Sequence, residues 1–275
     1  MKNPAIKFHD SHSIPQLGYG LWQVTPEETI KYVQEAIKVG YRSLDSAQIY
    51  HNEAALGEAI QRAGVPRSEL YITTKIWNDE QGRDKTLRSF DVSMQNLGLE
   101  KLDLLLIHWP SPYRKLYTET WKALVEIKKS GRVNSIGVSN FRTTDLKEVI
   151  DATGVVPVLN QIELHPHFQQ KELRNLHNEL GIHTECWSPL GQGKVIADPA
   201  IKKIADQHKK SPAQIILRWH MEHGFIAIPK STNSARLKEN FEVFDFKLTA
   251  EDLRILDGLD HQDGRVGPDP ATAKF

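Results

Sequence analysis

Leu70-Tyr71-Ile72-Thr73-Thr74 is a short run rich in apolar and β-branched residues. A helical pattern follows over Arg83–Leu97 and stops at Gly98, and Leu102-Asp103-Leu104-Leu105-Leu106-Ile107 is apolar again. A strand, an amphipathic helix, a glycine stop and another buried strand form one parallel βαβ unit, because two strands joined through a helix return in the same direction. Outward from this unit the same order recurs eight times along the chain. The other strand candidates are Leu17–Leu21, Ser43–Asp45, Val133–Val138, Val158–Ile162, His183–Trp187 and Phe225–Ile228. All are short and largely apolar, as strands covered on both faces should be.

The helical patterns between them carry their own punctuation. Pro26–Val39 opens with Thr25 as N-cap, Pro26 at the first helical position and Glu27 and Glu28 in the first turn, and Gly40 ends it. Glu53–Ala63, Thr118–Ser130, Thr144–Ala152 and Lys171–Leu180 are each followed by glycine within two residues. Pro199–His208 and Pro212–His223 precede the last strand, and Ser234–Phe241 and Thr249–Leu259 follow it. Eight such units in 275 residues fit a (β/α)₈ TIM barrel. The competing architecture is an open doubly wound sheet, but Gly18-Tyr19-Gly20-Leu21-Trp22 lacks the third glycine of the dinucleotide fingerprint. No linker or low-complexity segment divides residues 1–275, so one domain is expected. Residues 1–16 should form a short capping hairpin over the barrel bottom, and 260–275 an irregular tail.

Lysine plus arginine and aspartate plus glutamate both number 35. That balance argues against a protein that lives on nucleic acid or an anionic membrane. The single cysteine, Cys186, excludes an internal disulfide and makes a thiolate metal site improbable; no metal is expected. Met1-Lys2-Asn3-Pro4 does not lead into an apolar run, and no stretch nears the roughly 18 apolar residues of a membrane span. The default reading is a cytoplasmic monomer.

Barrel chemistry sits where strands end. Asp45 ends the second strand, Tyr50 lies on the loop after it, Lys75 follows the third and His108 the fourth. Taken singly, each has a bland explanation: a cap, a packing phenol, a solvated amine, a structural imidazole. On three consecutive strand ends they compose a proton donor with its tuning groups. A phenol with a pKa near 10 donates poorly at neutral pH. A nearby ammonium stabilises the phenolate and should bring that pKa toward the working range. Asp45 would hold Lys75, and His108 would aim an oxygen. That constellation suits reduction of a carbonyl by hydride plus proton. Trp22, Trp77 and Trp109 follow strands one, three and four and would wall a water-poor pocket for a small carbonyl substrate together with Tyr50 and His108.

These stretches carry a family resemblance. Gly40-Tyr41-Arg42-Ser43-Leu44-Asp45-Ser46-Ala47-Gln48-Ile49-Tyr50-His51-Asn52-Glu53 resembles the first signature of the aldo-keto reductases, with Ser46 where threonine is usual. The resemblance continues through Ile72–Trp77, Leu102–Pro110, Ile136–Phe141, Asn160–Pro166 and Ile228–Ser231, nearly the whole chain, and is nearest to the bacterial 2,5-diketo-D-gluconate reductases. It implies NADPH lying extended across the barrel mouth. Ser139, Asn140 and Gln161 would hydrogen-bond the carboxamide, Trp187 would stack on the nicotinamide, and Gly20, Trp22 and Asp45 would lie nearby. Ser188, Pro189, Leu190 and Gly191 would pass the pyrophosphate. Lys230, Ser231 and Arg236 would meet a 2′-phosphate, which favours NADPH over NADH, while Glu239 and Asn240 suit an adenine contact. The loops after Trp109 and Trp187 are short, which predicts an open pocket and a light clasp on the cofactor. Diketogluconate leads as substrate by resemblance, with methylglyoxal second. The alternative from another class is an NADPH-sensing module with little turnover.

Overall fold

A computed structural model describes residues 3–275; Met1 and Lys2, the start of the expected cap, lie outside the described residues. Strands β1 (Ala5–Lys7) and β2 (Ser13–Pro15) pair antiparallel as the expected hairpin. Phe8 and Ile14 from it pack with Tyr71, Leu104, Leu159 and Ile226 and plug the barrel end where the strands begin. Eight parallel strands follow in sequential order: β3 (Tyr19–Gly20), β4 (Ser43–Asp45), β5 (Tyr71–Ile76), β6 (Leu102–Ile107), β7 (Val133–Ser139), β8 (Leu159–Glu163), β9 (His183–Trp187) and β10 (Ile226–Ala227). The two ends meet. Leu17 bridges Ala227 in parallel, and the Gly18 amide donates to the Ala227 carbonyl at 2.8 Å. Gly20 permits this closure, since a Cβ there would lie 2.7 Å from the Ile228 carbonyl oxygen.

The helices are α1 (Pro26–Val39), α2 (Glu53–Gln61), α3 (Arg83–Leu97), α4 (Tyr117–Lys129), α5 (Thr143–Thr153), α6 (Lys171–Leu180), α7 (Pro199–His208), α8 (Pro212–Glu222), α9 (Ser234–Phe241) and α10 (Ala250–Asp257). The cap chemistry explains their starts. Thr25 and Ser211 each form a capping box ahead of a first-turn proline, and Thr249 forms one with Asp252. Outward-facing Leu44, Ile72, Ile76, Leu105 and Ile107 form the main core with Trp121 and other helix residues. None of the described helices is long and apolar enough to cross a membrane, and no cluster of potential metal ligands occurs among the described residues.

Two expectations need correction. The strands are not apolar on both faces: Asp45, Lys75, Gln161 and Glu185 are all buried polar residues on the inward side. Lys75 does not follow its strand but stands within β5, fully buried, because inward positions alternate with the outward Thr74 and Ile76. The tail is irregular as expected, and its path is well defined. It makes a 3₁₀ turn at Gln262–Gly264 and folds back over the barrel mouth, where Phe275 stacks on Trp77 at 5.7 Å.

Candidate active site

The β4–α2 loop brings Asp45 and Tyr50 to the mouth. Asn52 anchors it, accepting from the Ser46 hydroxyl at 2.6 Å and donating to the Leu21 and Val24 carbonyls at 3.1 and 3.0 Å. Ser46 thus uses the hydroxyl that the usual threonine would supply. Tyr50 lies on a 3₁₀ turn, Gln48–Tyr50, which Gln48 pins by donating to Ser93 Oγ at 3.0 Å and accepting from the Trp77 amide at 2.8 Å. His108 directly follows β6; its amide donates to the Ile76 carbonyl at 3.1 Å and continues the ladder.

The four groups meet. Lys75 Nζ donates to Asp45 Oδ1 at 2.5 Å and to the Ser46 carbonyl at 2.8 Å, and lies 5.2 Å from the Tyr50 ring centre. The Tyr50 hydroxyl lies 3.5 Å from His108 Nε2. Burial works against the Lys75 charge, but Asp45, Tyr50 and Glu185 outweigh it and hold the amine above its ordinary range. Burial, then Lys75, drive His108 well below its ordinary value, so it is a neutral imidazole. Tyr50 departs from expectation. Burial raises its pKa most, Lys75 opposes, Asp45 adds, and the balance is upward. Lys75 acts in the expected direction but does not win, so the phenol is held protonated.

All four lie beside one cleft of about 1100 Å³ at the barrel mouth, lined by Asp45, Tyr50 and His108 with Lys75 behind them. Trp22, Trp77 and Trp109 line it as expected. Phe275, which the sequence did not single out, closes against Trp77 and, edge-on at 5.1 Å, Trp109. The pocket is therefore less open than the short Trp109–Thr118 loop implies. Its lining includes Gly20, Ser139, Asn140, Gln161, Trp187, Ser188, Pro189, Leu190, Lys230, Ser231, Arg236, Glu239 and Asn240. Gly191 is not among them. It lies beneath the wall, turning the chain at φ 56° with its amide donating to the Ser188 carbonyl at 2.8 Å.

The aromatic and cationic ends of the cleft differ in what they leave free. Trp187 Nε1 donates to Asn140 Oδ1 at 2.8 Å, while Asn140 Nδ2 donates to the His108 carbonyl at 3.0 Å and Ser139 Oγ at 3.1 Å. The indole is thus fixed at the wall of the cleft. Gly267, also in the lining, packs against the ring edge, and Glu163 accepts the Val266 and Gly267 amides at 2.6 and 2.9 Å. At the other end Lys230 and Arg236 are exposed and have no ion-pair partner among the described residues. A cleft larger than an ordinary small-molecule pocket, with a fixed indole at one end and two free cations at the other, fits a phosphorylated dinucleotide. Glu239 is less available than expected, since it already accepts from the Ser211 hydroxyl. Sequence reasoning also missed Glu185, whose only signal was its inward position two residues before Trp187 in β9.

Known proteins share this fold. A model of the aldo/keto reductase family matches residues 16–261. Methylglyoxal reductase DkgA of Yersinia pestis is 48% identical over 269 residues, covering 97% of this chain and 96% of its own. A mutant of Gox0644 solved in complex with NADPH is 52% identical, with a TM-score of 0.97 and 100% of both chains covered. A solved putative 2,5-diketo-D-gluconic acid reductase B is 35% identical, with a TM-score of 0.91 over 100% of this chain and 98% of that one. The chain belongs to the aldo/keto reductase family.

Proposed function

We propose that the protein reduces a small carbonyl compound to the alcohol with NADPH, using Tyr50 as proton donor. The carrying observation is a protonated phenol 3.5 Å from a neutral imidazole, backed by a buried ammonium–carboxylate pair, at the aromatic end of the cleft. When bound, NADPH supplies the hydride. Ser139, Asn140, Gln161 and Trp187 would hold its nicotinamide end, and Lys230, Ser231 and Arg236 its 2′-phosphate end.

As a carbonyl carbon accepts hydride, its oxygen becomes an alkoxide. Tyr50 gives that oxygen a proton, and His108 holds it by hydrogen bond. The phenolate left behind faces Lys75, whose charge Asp45 secures. The raised resting pKa of Tyr50 ensures that the donor carries its proton before reaction; Lys75 limits what losing it costs. The trio of Trp22, Trp77 and Trp109 with Phe275 excludes water around the reacting bond.

The lining also ranks substrates. Among the described residues its only cations, Lys230 and Arg236, belong to the phosphate end. A keto acid would desolvate its carboxylate against tryptophan and phenylalanine without a counter-charge. This reverses the order that resemblance gives: methylglyoxal, the substrate in the name of the Yersinia relative, ranks above 2,5-diketo-D-gluconate. The test is NADPH oxidation by the pure protein with each compound. A higher kcat/KM for methylglyoxal supports the reading, and a higher value for the sugar acid overturns the ranking. Tight NADPH binding with no oxidation by any small aldehyde or ketone overturns the function and leaves a cofactor-sensing module.

A further inference from the structure

Glu185 is a fully buried acid that the proposed chemistry does not use. It stands on β9 directly opposite Gln161 of β8, with both side chains inside the barrel. The Gln161 amide nitrogen has two hydrogens and spends both on carboxyl groups: Nε2 donates to Glu185 Oε2 at 2.8 Å and to Asp45 Oδ2 at 2.9 Å. Asp45 gives its other oxygen to Lys75. Lys75, Asp45, Gln161 and Glu185 therefore form one continuous hydrogen-bonded chain, its two middle members in the cleft lining and its two ends behind it.

The partners decide which way the Gln161 amide faces. The reverse orientation would turn Oε1 toward the charged Asp45 carboxylate and lose that bond. The orientation shown leaves Oε1 without a protein partner among the described residues, on a side chain that lines the cleft. Burial, with the Asp45 charge second, keeps Glu185 protonated well above the ordinary carboxylate range. A neutral acid accepts the Gln161 hydrogen without adding a second negative charge beside Asp45.

We propose that Glu185 is a positioning residue of the reductase site, holding Gln161 so that it offers the cleft an acceptor, Oε1, for the amide N–H of the nicotinamide carboxamide. This rests on the reading of the cleft as a nicotinamide cofactor site. Asp45 alone secures only one of the two Nε2 hydrogens. Without Glu185 the other is buried unpaired, and only the Asp45 bond is left to hold the amide with Oε1 forward.

The experiment compares two cofactors by quenching of tryptophan fluorescence: NADP⁺, and its 3-acetylpyridine analogue, which keeps the carbonyl and lacks the amide N–H. Wild type should bind NADP⁺ more tightly than the analogue, by about 3- to 10-fold for one net hydrogen bond. Glu185→Leu should remove that preference by weakening NADP⁺ binding while hardly changing the analogue. Glu185→Gln, which still offers an acceptor to Gln161, should restore it. If the leucine variant does not fold, Glu185→Thr, too short to reach Gln161, replaces it with the same expectation. A merely structural role would weaken both cofactors equally, and that result overturns the inference, as would a wild type with no preference. A wild type that binds neither cofactor would instead overturn the cofactor reading itself.

Discussion

Replacing Lys75 with methionine keeps the length of the side chain and removes its charge. Lys75 is fully buried and Asp45 is 2% exposed, so neither can turn to water when the other goes. The substitution breaks the 2.5 Å ion pair and the 2.8 Å bond to the Ser46 carbonyl. Removing one partner of a buried pair costs about 3–5 kcal/mol, because a charge is left uncompensated. With an unfolding entropy of about 2 cal/mol/K per residue, that loss lowers the melting temperature of a chain this long by roughly 5–9 °C. The double variant Lys75→Met/Asp45→Asn removes the stranded charge as well. Its cost should fall to about 1–2 kcal/mol, since deleting both partners leaves only the lost hydrogen bonds. Melting curves of wild type, both single variants and the double variant at neutral pH measure the coupling directly. A double variant as unstable as Lys75→Met, or a Lys75→Met protein melting with wild type, would refute the buried pair as the support of the site.

Three further outcomes follow from other parts of the molecule. Arg236→Ala should raise the NADPH KM about 10- to 100-fold, as losing a hydrogen bond to a charged group does, and leave the NADH KM unchanged; an equal change in both would return Arg236 to the surface. Gly267→Ala should weaken NADPH binding about 5- to 100-fold with a small loss of stability, because the new Cβ would lie 2.3 Å from the Trp187 ring and 2.9 Å from Glu163 Oε2. An unchanged NADPH Kd would show that the tail does not bear on the ring. Burial lowers His177 to about 4 and His220 to about 3, so the unfolded chain takes up these protons first. Stability from these two is whole above the ordinary imidazole range and falls with pH, by about 2 kcal/mol for each at pH 5. In denaturant unfolding, His177→Gln should lose about that much less than wild type between pH 7 and pH 5, and an unchanged difference would contradict the assignment.

The fold was legible because each strand and helix carries local signals that agree. The caps at Thr25, Ser211 and Thr249 and the apolar runs of β6 and β7 need no distant partner to be read, and the element ends lie within two residues of expectation. The meeting of Asp45, Tyr50, Lys75 and His108 was legible because strand ends converge in a barrel whatever the side chains. Lys75 was displaced by one step of that logic: a lysine after Thr73 and Thr74 looks like a strand end when the inward face is assumed apolar, and only an interior ion pair makes it a strand residue. Glu185 failed for the same reason. The place of the tail's end was hidden for another. Phe275 meets Trp77 and Asn78 across nearly two hundred residues of chain, and no local pattern encodes a contact of that span. The Tyr50 pKa needed the coordinates because burial and Lys75 pull it in opposite directions, and the sequence names the ammonium but not the burial.

The central claim is that Tyr50 donates the proton, and single-turnover reduction of methylglyoxal by the NADPH complexes of wild type and Tyr50→Phe tests it most directly. The account predicts an unchanged NADPH Kd and a reduction step slowed about 10²- to 10⁴-fold, the loss expected for a general acid. Reduction by Tyr50→Phe at the wild-type rate, with NADPH equally bound, would contradict it.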